Sequence, residues 1–256
     1  MAEWSEIIKV TFLSVLQGIA EFLPISSSGH LVLGKHLLNM QELGLRIDIF
    51  LHVGTLVAIF AFYFAIIRRI IVNLEWSYLF KVVLSAIPAG LVGILFKDQL
   101  EAAFASPKMV GGALIFTGLV LTCTRFLPRG EKDVSFGRAF LMGLAQAIAI
   151  LPGVSRSGMT LAAARASKVD AEKSAEFSFL MSAPPIAGAA LLELLKSFHA
   201  TETSVEVGWG LTIYGCVLAS VVGYFSLKIL VSSLKGRWFW LFGPYCVLAG
   251  LAALCV

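Results

Sequence analysis

Glu21 stands four residues after Gln17 near the end of an apolar stretch, Ile7 to Leu23, so on a helix the two side chains project from one face toward a shared point. A charged side chain at mid-bilayer costs about 2.5–3.5 kcal/mol on insertion scales for Asp, Lys or Arg, and Glu21 lies just before a polar loop rather than at the end of a span. It therefore needs a partner or a function. The loop holds Pro24, Ser26, Ser27, Ser28, Gly29 and His30 ahead of a short apolar piece, Leu31 to Leu38. Serine caps helix starts, and the free backbone N–H groups there bind anions, with phosphate a good fit. A second stretch, Pro152-Gly153-Val154-Ser155-Arg156-Ser157-Gly158, again precedes a short apolar piece, Met159 to Ala166, with Thr160 in its first turn. It adds Arg156, whose planar fork of donors matches phosphate and is poorly explained as packing. Two serine-rich helix starts, one arginine, one histidine and one glutamate make a compact anion site with an acid–base pair.

The elements that must position these groups belong to a membrane protein. Of 256 residues, 58% are hydrophobic and 14% charged, more apolar surface than an aqueous exterior can cover, which excludes a soluble domain and nucleic acid as partner. Six stretches are long enough to cross at about 20 residues each: roughly Ile47 to Ile67, Tyr78 to Phe96, Met109 to Cys123, Phe177 to Leu195, Trp209 to Leu230 and Trp238 to Val256. The two stretches broken by proline, glycine and serine read as re-entrant helix pairs, because freed backbone groups at membrane depth must face protein or a water-filled cavity. They also resemble each other. Gln146 follows Gln17 at the same offset, about half the chain, as Ser155 follows Ser26, and Leu23-Pro24 is echoed by Leu151-Pro152. The expected fold is all-α and integral to the membrane: a single polytopic domain of six transmembrane helices plus two re-entrant pairs, in an inverted-topology repeat with halves of approximately 1–128 and 129–256.

Lys and Arg fall twelve to six in favour of the side that carries Arg68, Arg69, Arg125, Arg138 and Arg165, which predicts that side to be cytoplasmic and both termini to face outward. The first nine residues lack a basic n-region with a cleavage site, so no removable signal peptide is expected. Cys123, Cys216, Cys246 and Cys255 lie in apolar runs without metal-ligand spacing and read as packing residues. Asp48 and His52, four apart, are a second acid–base candidate but read first as a structural pair. His36 and His199 read as interface or loop residues, and Pro88, Pro184 and Pro185 as kinks that shape a cavity.

The runs Gln17-Gly18-Ile19-Ala20-Glu21-Phe22-Leu23-Pro24-Ile25-Ser26-Ser27-Ser28-Gly29-His30-Leu31 and Leu151-Pro152-Gly153-Val154-Ser155-Arg156-Ser157-Gly158-Met159-Thr160 resemble the two signature motifs of the undecaprenyl-diphosphate phosphatase family of the bacitracin-resistance type. The resemblance implies a multi-pass hydrolase of the bacterial inner membrane that removes one phosphate from undecaprenyl diphosphate, a lipid carrier of cell-wall synthesis, at an active site open to the outer side. Carried over, it implies catalytic roles for Glu21, Ser27, His30 and Arg156, with Gln17 in support. Phosphate binding would fall to Arg156, Ser155, Ser26, Ser28, Ser157 and Thr160. Position 17 is often Glu in the family and is Gln here, which leaves Glu21 as the main acid. His30 or Ser27 would attack the terminal phosphorus. Histidine is the better choice by type, since its unperturbed pKa lies near neutrality whereas a serine needs a base. Glu21 would orient His30 or bind a Mg²⁺ or Ca²⁺ ion bridging the diphosphate oxygens. A homodimer is a further expectation. The competing reading is a transporter or flippase of an anionic lipid, since broken helices around a midplane site are common transporter architecture.

Overall fold

Two interruptions in otherwise apolar helices organise the chain. The computed structural model describes residues 2–37, 45–96, 99–100, 103, 106–197 and 207–255. Helix α1 (Ala2–Ala20) stops at Glu21, and α2 (Ser27–Leu37) starts after a tight turn. Pro24 cannot continue a helix, and Ser26 takes a left-handed conformation at φ 70°, so the chain reverses there. The same break separates α7 (Phe136–Ile148) from α8 (Arg156–Ala166), with Pro152 followed by Gly153 at φ 92°. Both second arms start earlier than their apolar residues suggest. Ser26 Oγ accepts from Gly29 N at 3.3 Å and Ser155 Oγ from Gly158 N at 3.1 Å, so capping lets each helix begin at the very next residue, Ser27 or Arg156, rather than near Leu31 or Met159.

Between the breaks lie α3 (Leu45–Phe62), α4 (Phe64–Val72), α5 (Trp76–Leu95) and α6 (Pro107–Cys123), and after them α9 (Ala171–Ser197), α10 (Trp209–Lys235) and α11 (Phe242–Leu254). No strand occurs among the described residues, only isolated bridges joining Gly130 to Asp170 and Lys132 to Val169. Among the described residues, three helices are long and apolar enough to cross a bilayer: α5, α6 with its short 3-10 extension to Phe126, and α10. The pair α3–α4 would make a fourth. The expected straight span from Ile47 to Ile67 is instead bent by 70° at Tyr63. Consecutive Arg68 and Arg69 explain this, because turning α4 keeps Ile70 buried while both arginines stay exposed. The stretch expected from Trp238 runs as a 3-10 turn, Phe239–Leu241, and then the 13 residues of α11, or about 20 Å of α-helix. Val256 and His199 lie outside the described residues.

Helix α10 packs against α1 and α3, α5 packs against α7 and α9, and α6 packs against α11. Glycines allow the closest approaches. A Cβ on Gly54 of α3 would lie 2.2 Å from the Cys216 carbonyl oxygen of α10, and one on Gly143 of α7 would lie 2.5 Å from that of Ser85 on α5. The largest core cluster gathers Phe22, Phe179, Leu227 and Leu230, with Phe22 edge-on to Phe179 at 5.5 Å between ring centroids. Large apolar side chains face outward instead, Ile94 being 79% and Leu248 68% exposed, as suits helices whose solvent is lipid.

Candidate active site

The two breaks meet. A Cβ on Gly29 would lie 3.1 Å from Gly153 Cα, and one on Gly158 would lie 3.4 Å from Pro24 Cβ, so the turn of each broken segment lies against the other. This contact brings Glu21 and Arg156 together although they are 135 positions apart. Arg156 Nη2 donates to Glu21 Oε1 at 2.8 Å, with the side chains 16% and 7% exposed. The other carboxylate oxygen, Oε2, accepts from Ser27 Oγ at 2.6 Å and from Gln17 Nε2 at 3.2 Å. Glu21 thus has its partner: a guanidinium on one oxygen and a serine hydroxyl on the other. Arg156 also lies over the Phe179 ring, 5.4 Å from its centroid.

Glu21, Ser26, Ser27, Ser28, Ser155, Arg156 and Ser157 line one cavity of about 960 Å³. Its remaining wall is largely small and apolar, including Ala86, Ala89 and Gly90 of α5 and the Pro184-Pro185 pair of α9. Arg156 Nη1 is buried with no hydrogen-bond partner. A polar end that holds an unpaired cationic donor, continued by an apolar wall, suits a ligand with an anionic head and a hydrocarbon tail.

Not every expected residue arrives there. His30 is held at both nitrogens, Nδ1 at 2.9 Å from Ser26 O and Nε2 at 2.8 Å from Tyr245 Oη, with its ring stacked on Tyr245; it does not line the cavity. Thr160 is fully buried and turned to α9, its Oγ1 2.6 Å from Ser178 Oγ, so it braces α8 rather than facing the cavity. Asp48 pairs with Lys35, not with the His52 side chain. His52 does line the cavity, with Nδ1 at 2.8 Å from the Asp48 carbonyl oxygen.

Three residues were not assigned to the site from sequence. Thr117 Oγ1 accepts from Ser155 N at 3.1 Å and donates to Gly153 O at 3.2 Å, fastening the loop that presents Arg156. Tyr245 anchors His30, and Gln146 lines the cavity. The offset that relates Gln17 to Gln146 also relates Thr117 to Cys246, whose Sγ donates to Pro24 O at 3.5 Å.

Mg²⁺ or Ca²⁺ takes about six or more oxygens. Glu21 is the one carboxylate among the described residues lining the cavity, and both its oxygens already accept hydrogen bonds. No group of three His, Cys, Asp or Glu suited to a metal occurs among the described residues. Among the described residues, the cavity's own donors alone fall short of such a coordination shell.

Residues 10–252 match the family described as Bacitracin resistance protein BacA. A protein of Halothermothrix orenii named undecaprenyl-diphosphatase is 38% identical over 253 residues, covering 96% of each chain. Proteins of the same name from Desulforapulum autotrophicum and Thermotoga petrophila are each 37% identical, covering 97% and 95% of this chain and 98% of their own. Matched by the family model over most of its length and by relatives at 37–38% identity, the chain belongs to the BacA bacitracin resistance family.

Proposed function

We propose that this protein is a membrane phosphatase that hydrolyses undecaprenyl diphosphate to undecaprenyl phosphate and inorganic phosphate. The observation that carries the reading is the chain of contacts from Ser27 through Glu21 to Arg156 at the polar end of the cavity. The prenyl tail would lie along the apolar wall formed by α5 and α9, with the diphosphate at the two helix starts. Glu21 Oε2 accepts a hydrogen bond from the Ser27 hydroxyl, which supports Glu21 as the base that a serine nucleophile requires. Ser27 Oγ attacks the terminal phosphorus, its proton passes to Glu21, and the bridging P–O bond breaks to release prenyl monophosphate. Glu21 releases that proton to solvent; water then attacks the phosphoserine, giving a proton to Glu21, which returns it to Ser27 Oγ as the serine O–P bond breaks and inorganic phosphate leaves.

The N–H groups at the starts of α2 and α8 would hold the charge on the transferred phosphoryl oxygens, and Arg156, whose Nη1 has no protein partner, the charge that develops on the departing prenyl phosphate. His30, engaged by Ser26 and Tyr245, serves in this scheme to position the loop bearing Ser27. No step runs through a divalent ion. The proposed setting is an inverted repeat of six crossings with the site open to the outer side. Its support is the exchange of packing between halves, α1 against α10 matching α7 against α5, and the weight of Lys and Arg on the other side.

The test is release of inorganic phosphate from undecaprenyl diphosphate by purified protein in detergent, with and without added Mg²⁺ or Ca²⁺. Release is expected from the wild type, and Arg156→Ala should lower it by at least about 10²-fold. Folded protein that releases none would overturn the reading in favour of a transporter.

A further inference from the structure

Gln146 is 4% exposed, lines the cavity, and has no hydrogen-bond partner at either Nε2 or Oε1. A buried amide left unpaired is costly, and an apolar residue of the same size would pack there without that cost. Its counterpart in the first repeat explains why it is free. Gln17 Nε2 donates to Glu21, one helical turn further on, whereas the residue one turn beyond Gln146 is Ile150. The second repeat keeps the amide without its carboxylate, and beside it keeps the unpaired Arg156 Nη1. Both are buried donors in one cavity, and a diphosphate offers only acceptors.

The position of Gln146 selects which phosphoryl it meets. Gly143, one turn before it, touches the Ser85 backbone of α5, and the next residues of α5 that line the cavity are Ala86, Ala89 and Gly90. Gln146 therefore lies where the polar end gives way to the apolar wall, while Ser27 and Glu21 belong to the opposite broken segment. Resting on the phosphatase reading above, we infer that Gln146 and Arg156 Nη1 form a subsite for the prenyl-side phosphoryl, the one that remains with the lipid after hydrolysis.

The experiment compares wild type with Gln146→Leu. The Leu variant should melt at the same or a higher temperature, since it removes an unsatisfied buried group. Its KM for undecaprenyl diphosphate should rise about tenfold to a hundredfold, the usual worth of a hydrogen bond to a charged group. Inhibition by undecaprenyl monophosphate should weaken by the same factor and inhibition by inorganic phosphate should not change. A KM and a monophosphate inhibition constant both within twofold of wild type would overturn the subsite while leaving the phosphatase standing. Should Gln146→Leu fail to fold, Gln146→Glu keeps the shape and replaces the donor with a repelling oxygen, and its KM should rise at least as far; an unchanged KM overturns the subsite. Should the wild type release no phosphate, inorganic diphosphate still tests binding through thermal protection. Protection of the wild type lost in Gln146→Leu supports the subsite, and equal protection, or none in the wild type, overturns it.

Discussion

Where the first broken segment carries Glu21, Ser27 and His30, the second carries Ile150, Arg156 and Met159 at the same sequence offset that separates Ser26 from Ser155. The scaffold beneath them is shared. Ser26 and Ser155 each cap the following helix, and Ser28 and Ser157 each lie 3.3 Å, Oγ to Oγ, from the capping serine. The backbone device that opens a helix start toward the cavity is present twice, but the reactive groups are divided between the copies. One copy holds a hydroxyl against a carboxylate, and the other holds a guanidinium and a spare amide. In the proposed scheme neither broken segment alone both attacks and binds a phosphoryl group, so activity would require the contact between them. That division is what substitutions can break.

The largest effect is expected at position 27. Ser27→Ala should lower phosphate release by about 10³-fold or more while leaving the fold intact, as loss of a nucleophile does. Its counterpart Arg156→Lys keeps the charge but loses the fork of donors, and about a tenfold to hundredfold loss is expected. Release from Ser27→Ala within tenfold of wild type, with His30→Ala inactive yet folded, would move the nucleophile to His30.

The contact itself should register in stability. Glu21→Gln and Arg156→Gln each leave a mostly buried charge without its partner, at a cost of about 3 kcal/mol, whereas the double variant removes both charges and should lose less than the sum of the two. Thermal unfolding in detergent of the four proteins measures this. Strictly additive losses would mean that Glu21 and Arg156 do not depend on one another, and the joining of the two segments would have to rest on packing alone.

How much of this was legible in the sequence depends on the range of the interaction. Pro24, Pro152 and the serine clusters act on their own backbone within a few residues, so both breaks and both helix starts could be read directly, apart from their onset at Ser27 and Arg156. Glu21 could be read as needing a partner because burial cost is a property of one residue. Which partner it takes, across 135 positions, depends on how the halves dock, and so does the choice between His30 and Ser27. By type alone histidine is favoured, but Tyr245, 215 positions away, engages it and leaves Ser27 facing the carboxylate. The bend at Tyr63 was hidden for a different reason: the apolar run continues through Ile66 and Ile67, and the two arginines that turn the helix lie just beyond.

The smallest expected effect separates the two loops by the ties that hold them. Thr117 Oγ1 serves two backbone groups of the second loop, accepting from Ser155 N and donating to Gly153 O, while Cys246 Sγ makes one weak bond to Pro24 O in the first. Thr117→Val keeps the shape but strands a buried N–H beside Arg156, so a loss of about 1–3 kcal/mol and a severalfold fall in turnover are expected. Cys246→Ala gives up a poor donor and one sulfur's volume, and should cost about 1 kcal/mol or less with turnover unchanged. The asymmetry follows from what each loop must present. A guanidinium at the end of a long side chain is aimed by the backbone that carries it, whereas Ser27 is already fixed by its own hydrogen bond to Glu21. If Cys246→Ala proved the more damaging of the two in thermal unfolding and in phosphate release, the first loop, not the second, would be the one whose geometry limits catalysis.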